Sequence, residues 1–228
     1  VLRQPVTSRG RATRDKILDA GARLFAERGY LGTDVQDIVK ESGVGRGAFY
    51  HHFRTGDGAN AKERVAHAVV SESFVMDFLP QAVLPRLQAV IDASMLLAAA
   101  SPRVTVVRAA LRIALEQGHP LYGFLWKGYI PVVDGWLTEA GELGELLPGV
   151  VPQDVATVWV DGYTGADARC RHDYEQLPGE IAKLNRLMVR AVATPETMMR
   201  LDVSVERGLT LFNDSELAGL GEMPGPGR

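Results

Sequence analysis

The sequence predicts an all-α protein: an N-terminal three-helix, helix-turn-helix head on a larger C-terminal helical body. Three observations carry that expectation. Apolar residues recur at three- and four-residue intervals, glycine and proline cut the chain into helix-length pieces, and basic residues gather in the first quarter. The first helix is expected over 13–29, where Ile17, Leu18, Gly21, Leu24 and Phe25 share a face and Gly29 supplies the stop. Thr33-Asp34-Val35-Gln36 matches a capping box, in which the Thr33 hydroxyl and the Gln36 side chain satisfy amides at a helix start. The second helix then runs to about Ser42, with Val35, Ile38 and Val39 on one face and Gly43 ending it. Val44 is the expected buried pivot, and a short third helix follows over 45–53.

A loop with two glycines occupies 54–60, and the helical pattern resumes at Ala61 with Val65, Ala68, Val69 and then Phe74. Six further helical stretches are expected, at about 85–99, 103–117, 121–143, 153–174, 178–192 and 195–212. Breaks at Ser101-Pro102, Gly118-His119-Pro120, Leu147-Pro148-Gly149 and Leu177-Pro178-Gly179 separate several of them. Proline suits a helix start because its missing N–H would have no partner there. Nothing reads as a strand or an internal repeat. The expected division is 1–54 for a basic arm and helix-turn-helix, 55–218 for a ligand-binding and dimerisation domain, and 219–228 for a flexible tail.

The chain has 228 residues, 46% of them hydrophobic, with 25 Lys/Arg against 28 Asp/Glu. That composition suits a globular protein with a core that needs no disulfide or metal. Cys170 is the only cysteine, and no Cys/His spacing suits zinc, so a reducing, cytoplasmic setting is expected and no cofactor. No apolar stretch spans a bilayer, and the polar, basic start does not read as a secretory signal. Ten Lys/Arg stand against six acids in the first 54 residues, in a chain of net charge −3. A basic quarter on an acidic remainder is the footprint of a small nucleic-acid-binding head, although charge alone would equally fit a basic disordered arm. No Gly-rich phosphate loop, G-x-S-x-G elbow or H-E-x-x-H motif is present, so an enzyme is not expected.

In a helix-turn-helix, the second helix braces across the DNA backbone and the third presents its N-terminal residues to the major groove. Here the third reads Gly45-Arg46-Gly47-Ala48-Phe49-Tyr50-His51-His52-Phe53. Arg46 at its start suits guanine or phosphate, and Gly47 and Ala48 permit close approach. Tyr50 and His51 can donate to phosphate oxygens, while Phe49 and Phe53 are expected to pack inward.

The run Ile17-Leu18-Asp19-Ala20, Leu24-Phe25-Ala26-Glu27-Arg28-Gly29-Tyr30, Thr33, Ile38, Gly43-Val44 and Arg46 to Phe53 closely resembles the head of the tetracycline-repressor (TetR) family. The resemblance implies an all-helical homodimer whose heads bind a palindromic operator and whose C-terminal domain binds a small effector. It assigns DNA contacts to Thr33, Arg46, Tyr50 and His51. Gly45 departs from the serine, threonine or lysine common there, and about six extra residues precede Ala61-Lys62-Glu63. Either Lys62 is the family's phosphate-contacting lysine, the reading adopted, or Arg54-Thr55-Gly56-Asp57 is the counterpart and that lysine is absent.

Four later blocks narrow the resemblance. They are Leu111-Arg112-Ile113-Ala114-Leu115-Glu116-Gln117-Gly118, Leu143-Gly144-Glu145-Leu146-Leu147-Pro148 with Val151-Pro152, Gly162-Tyr163-Thr164-Gly165, and Leu201-Asp202-Val203-Ser204-Val205-Glu206-Arg207-Gly208. These are similar to the γ-butyrolactone autoregulator receptors of antibiotic-producing actinomycetes and their furan- and butenolide-sensing relatives. That resemblance implies a repressor released by such a molecule and a role in controlling antibiotic production. It implies that Trp126 lines the pocket and Thr164 bonds a ligand oxygen, with Gln117, Tyr129 and Tyr163 as further polar candidates. Trp136 and Trp159 are expected to be plain core. Dimer contacts are expected around 153–174 and 195–212. The alternative is a TetR-type repressor of an efflux or catabolic gene with a different inducer.

Overall fold

The computed structural model describes residues 8–53, 60–72 and 83–220. In chain order the helices are α1 (Ser8–Arg28), α2 (Val35–Ser42), α3 (Arg46–His52), α4 (Ala61–Glu72), α5 (Arg86–Ala100) and α6 (Thr105–Leu115). They continue with α7 (Phe124–Glu142), α8 (Pro152–Cys170), α9 (Leu177–Val192), α10 (Pro195–Met198), α11 (Val205–Asp214) and α12 (Leu217–Leu220). Among the described residues there is no strand, only an isolated bridge between Leu146 and Ala193. The basic arm before Ser8, the Arg54-Thr55-Gly56-Asp57 alternative, Phe74 and the tail beyond Leu220 lie outside the described residues.

Two expectations are corrected. The capping residue of α2 is Asp34 rather than Thr33: the Asp37 carboxylate, three residues on, accepts the Asp34 N–H at 3.3 Å. The box is therefore shifted by one residue and uses Asp37 rather than Gln36. The helix expected over 195–212 is two helices. Asp202 interrupts it by donating its N–H to the Gln88 side chain at 2.8 Å, and the Ser204 hydroxyl accepts from Arg207 N to start α11 afresh.

The described residues pack as two units, one from 1–74 with 105–123, the other from 75–104 with 124–228. The first therefore includes α4 and α6 beside the three head helices, where the sequence division places both in the body. Its core is built by Ile17, Leu24, Phe25, Ile38, Phe49, Phe53, Val65 and Ile113. Gly43 adopts φ +63°, the left-handed turn that ends α2 and re-aims the chain into α3. The end of α6 grips the end of α1. Arg112 donates to the Ala26 and Glu27 carbonyls at 3.0 and 2.7 Å, where a cation meets the negative end of the helix. Glu116 accepts the Tyr30 and Leu31 amides at 2.5 and 3.1 Å, and His119 stacks on Tyr30 at 4.3 Å.

In the second unit α5 is buried nearly all round, as a core helix without a polar face should be. Its first turn is capped from a distance: Glu145 accepts the Arg86 and Leu87 amides at 2.8 and 2.9 Å. A carboxylate at a helix N-terminus is favoured by the peptide dipoles. Helices α7, α9 and α11 pack on α5, and α8 packs on α7 and α9.

Candidate DNA-recognition surface and ligand cavity

Helix α3 has two faces. Phe49 and Phe53 are buried, their rings tilted to each other with centres 5.9 Å apart, and anchor it to the core. Arg46, Gly47, Ala48 and His51 are exposed on the other side, and Tyr50 is half-buried with its ring edge-on to Phe49. The Arg46 guanidinium lies 5.8 Å from the Tyr50 ring centre, so both present from one surface. Burial, then the nearby His51 and Arg14 charges, pushes the His52 imidazole below its ordinary value. The exposed Arg46 guanidinium gives this surface a fixed positive charge, which suits a phosphate backbone.

Thr33 is fully buried and its hydroxyl donates to the Gly29 carbonyl at 2.8 Å. The DNA contact implied for it is therefore not open to the side chain in this structure; that hydroxyl serves the turn between α1 and α2. Lys62 is in the first turn of α4. Its ammonium donates to the Tyr30 carbonyl at 3.1 Å and sits 4.4 Å from the Tyr30 ring centre. It is half-buried, with part of its donor capacity spent on the α1–α2 turn.

The second unit contains a half-open cavity of about 50 Å³ lined by Val90, Ala93, Ser94, Leu97, Leu125, Tyr129, Val133, Trp159, Val160, Tyr163 and Thr164. Apolar walls with a few placed polar groups are the usual make-up of a small-molecule site. Tyr129, Tyr163 and Thr164 are among the lining residues. Two expectations do not hold. Gln117 is exposed in the turn after α6, in the other packing unit, and reaches only the Tyr122 hydroxyl at 3.5 Å. Trp126 is not in the lining: its indole N–H donates to Asp161 at 2.9 Å on the outer side of α8. The indole in the wall is Trp159, expected to be plain core, and it donates to Asn185 at 2.9 Å. Asn185 in turn donates to Ser94 at 2.9 Å, so a buried Trp159–Asn185–Ser94 chain backs the cavity. Sequence reading missed Ser94 and Asn185; their only signal is a polar residue on an otherwise apolar helix face.

Asp167, four residues after Tyr163 on α8, is fully buried. Its carboxylate lies 3.9 Å from Arg171 Nε. Burial pushes its carboxyl up to about 6 against the opposing pull of Arg171 and Tyr174. A raised folded-state value means that this group favours the fold fully only below its ordinary value of 3.8, and that the contribution is lost as pH rises through 6. Asp167→Asn is therefore expected to gain stability relative to wild type between pH 4 and pH 8, by at most about 3 kcal/mol. Melting temperatures of the two proteins across that range measure it; parallel curves would contradict the buried charge.

Among the described residues, no group of three or more His, Cys, Asp or Glu is placed to hold a metal, and no single helix is long and apolar enough to cross a membrane.

An exposed third helix on a helix-turn-helix, in a chain that also contains an apolar cavity, is the architecture of a helix-turn-helix transcriptional regulator. The profile of bacterial regulatory proteins of the tetR family matches residues 17–57. Full-length TylP, a TetR regulator from Streptomyces fradiae, is 32% identical with a TM-score of 0.74, over 89% of this chain and 96% of that one. The chain belongs to the TetR family. The A-factor receptor protein of Streptomyces griseus is 27% identical over 186 residues, 78% of this chain. That alignment spans 63% of the receptor, so the chain covers somewhat less than two thirds of this curated relative. A γ-butyrolactone receptor described as ArpA-like shares the fold, with a TM-score of 0.67 and 22% identity over 93% of this chain and 98% of that one.

Proposed function

We propose that the protein is a homodimeric transcriptional repressor whose grip on a palindromic operator is released by a small γ-butyrolactone-, butenolide- or furan-type molecule, in the control of antibiotic production. The observation that carries this reading is the pairing of an exposed Arg46–Tyr50–His51 surface with a separate apolar cavity containing Trp159, Tyr163 and Thr164. Lys62 and Gly47 complete the DNA-facing set. The A-factor receptor and the γ-butyrolactone receptor support the choice of effector class.

A cavity of about 50 Å³ is smaller than the ~300 Å³ or more typical of small-molecule pockets, so a ligand must part its walls. Those walls belong to α5, α7 and α8, and α5 and α7 are the chain neighbours of α6, which holds the end of α1. Ligand and operator then favour different arrangements, and each weakens the other by the same factor. In the dimer the two α3 helices must reach successive major grooves, roughly 34 Å apart. Val158 on α8 and Leu187 on α9 are exposed apolar residues suited to subunit contact.

The test is enrichment of bound duplexes from a random pool, followed by titration of the selected operator with alkyl-substituted γ-butyrolactones. A palindrome should emerge, and bound lactone should release it. Retention of the operator at saturating, demonstrably bound lactone would overturn the reading.

A further inference from the structure

We propose that the cavity admits only uncharged ligands that bring a hydrogen-bond acceptor to Tyr163, and that Asp167 closes it to anionic ones, so that it distinguishes an intact lactone from its ring-opened hydroxy acid. This deepens the effector reading above and rests on it.

None of the lining residues is charged. The lining side chains that carry polar atoms are those of Ser94, Tyr129, Tyr163, Thr164 and Trp159. Three of these are already engaged: Ser94 Oγ with the Ile91 carbonyl at 2.8 Å, Thr164 Oγ1 with the Asp161 carbonyl at 2.9 Å, and Trp159 with Asn185. The Tyr163 hydroxyl is different. It is buried and makes no hydrogen bond of ordinary geometry. Ser101 is its polar neighbour: the Ser101 hydroxyl donates its own proton to the Leu97 carbonyl at 2.8 Å, leaving its oxygen as a poorly aligned acceptor for the Tyr163 O–H. A buried donor without a full partner is costly to leave and well paid by an incoming acceptor such as a lactone carbonyl.

The surroundings disfavour negative charge. Burial, and next the Asp167 carboxylate, hold the Tyr163 phenol well above its ordinary value. Residues four apart on a helix share a face, so Asp167 stands directly behind Tyr163 along α8. Asp167 itself is fully buried with both carboxylate oxygens lacking a hydrogen bond of ordinary geometry, and its cation, Arg171, is 3.9 Å away. A ligand carboxylate would enter a cavity without a lining cation and face a second buried carboxylate. Both desolvation and like-charge repulsion oppose it.

The experiment uses the full chain and a matched pair of probes, γ-decalactone and sodium 4-hydroxydecanoate, in isothermal titration at pH 8. Wild type should bind the lactone about thirty-fold or more tightly than the hydroxy acid. Asp167→Asn should cut that ratio at least about five-fold by improving hydroxy-acid binding, leaving lactone affinity unchanged. Tyr163→Phe should weaken the lactone about ten-fold. Should the Asn variant not fold, Asp167→Ser makes the same comparison. Equal affinities in wild type, or an unchanged ratio in a folded Asp167 variant, would overturn the charge discrimination and leave the effector class standing. If neither probe binds, the effector class fails and this proposal falls with it.

Discussion

Replacing Arg46 by alanine should weaken operator binding by roughly 30-fold or more while leaving thermal unfolding unchanged. Arg46 is exposed at the first position of α3, its guanidinium 5.8 Å from the centre of the Tyr50 ring. Surface changes of that kind alter stability by no more than about 0.5 kcal/mol. In the proposed complex the same guanidinium would enter the major groove, where one bidentate contact to guanine discriminates by about 1–3 kcal/mol. A dimer presents two copies, so the loss is about 2–6 kcal/mol, or roughly 30-fold to 10⁴-fold in affinity. Fluorescence anisotropy with the selected operator measures it. Lactone affinity in the same variant should not move, because the cavity belongs to the other packing unit. Operator affinity within two-fold of wild type would show that the recognition surface lies elsewhere.

Arg207→Ala should be the most destabilising of the changes considered. Asp92 sits fully buried on α5, and Arg207 on α11 is its counter-ion, donating to both carboxylate oxygens at 3.0 and 2.6 Å. Gln88 donates to the same carboxylate at 2.7 Å and ties it to the Asp202 carbonyl. Removing the guanidinium strands a buried charge, which costs about 3–5 kcal/mol. For a chain of this size that lowers Tm by roughly 6–20 °C. Arg207→Lys should recover only part of it, since an ammonium cannot reproduce the two-pronged geometry. Adding Asp92→Asn to the alanine variant should restore stability, because the stranded charge is then gone. A shift in Tm of a degree or less for Arg207→Ala would mean that the pair does not hold α11 to α5.

The blocks that carried the narrower resemblance show why roles are harder to read than elements. Arg112 and Glu116 of the first block clamp the end of α1, and Glu145 of the second caps α5. In the fourth, Arg207 neutralises Asp92, and Gly208 packs where an added Cβ would meet the Met95 carbonyl at 2.8 Å. The third block alone, through Tyr163 and Thr164, reaches the cavity. A short motif therefore marks a structural joint as readily as a binding site. The two tryptophans illustrate the same limit. Trp126 and Trp159 look alike in sequence, each on an apolar helix, and only the packing of α7, α8 and α9 decides which indole faces the cavity.

The sequence by itself determined the all-helical class, the α1–α2–α3 head, the inward Phe49 and Phe53, and the outward Arg46 and His51. These follow from local causes: 3.6-residue periodicity, the glycine turn at Gly43, and aromatic spacing within one short helix. The tertiary structure decided what depends on residues distant in sequence. It withdrew Thr33 into the α1–α2 turn, put Gln117 on the surface, exchanged Trp126 for Trp159 in the cavity wall, and buried Asp167 behind Tyr163. Whether a polar side chain meets a ligand, a carbonyl or a counter-ion is set by the helix packed against it, and no local pattern encodes that neighbour.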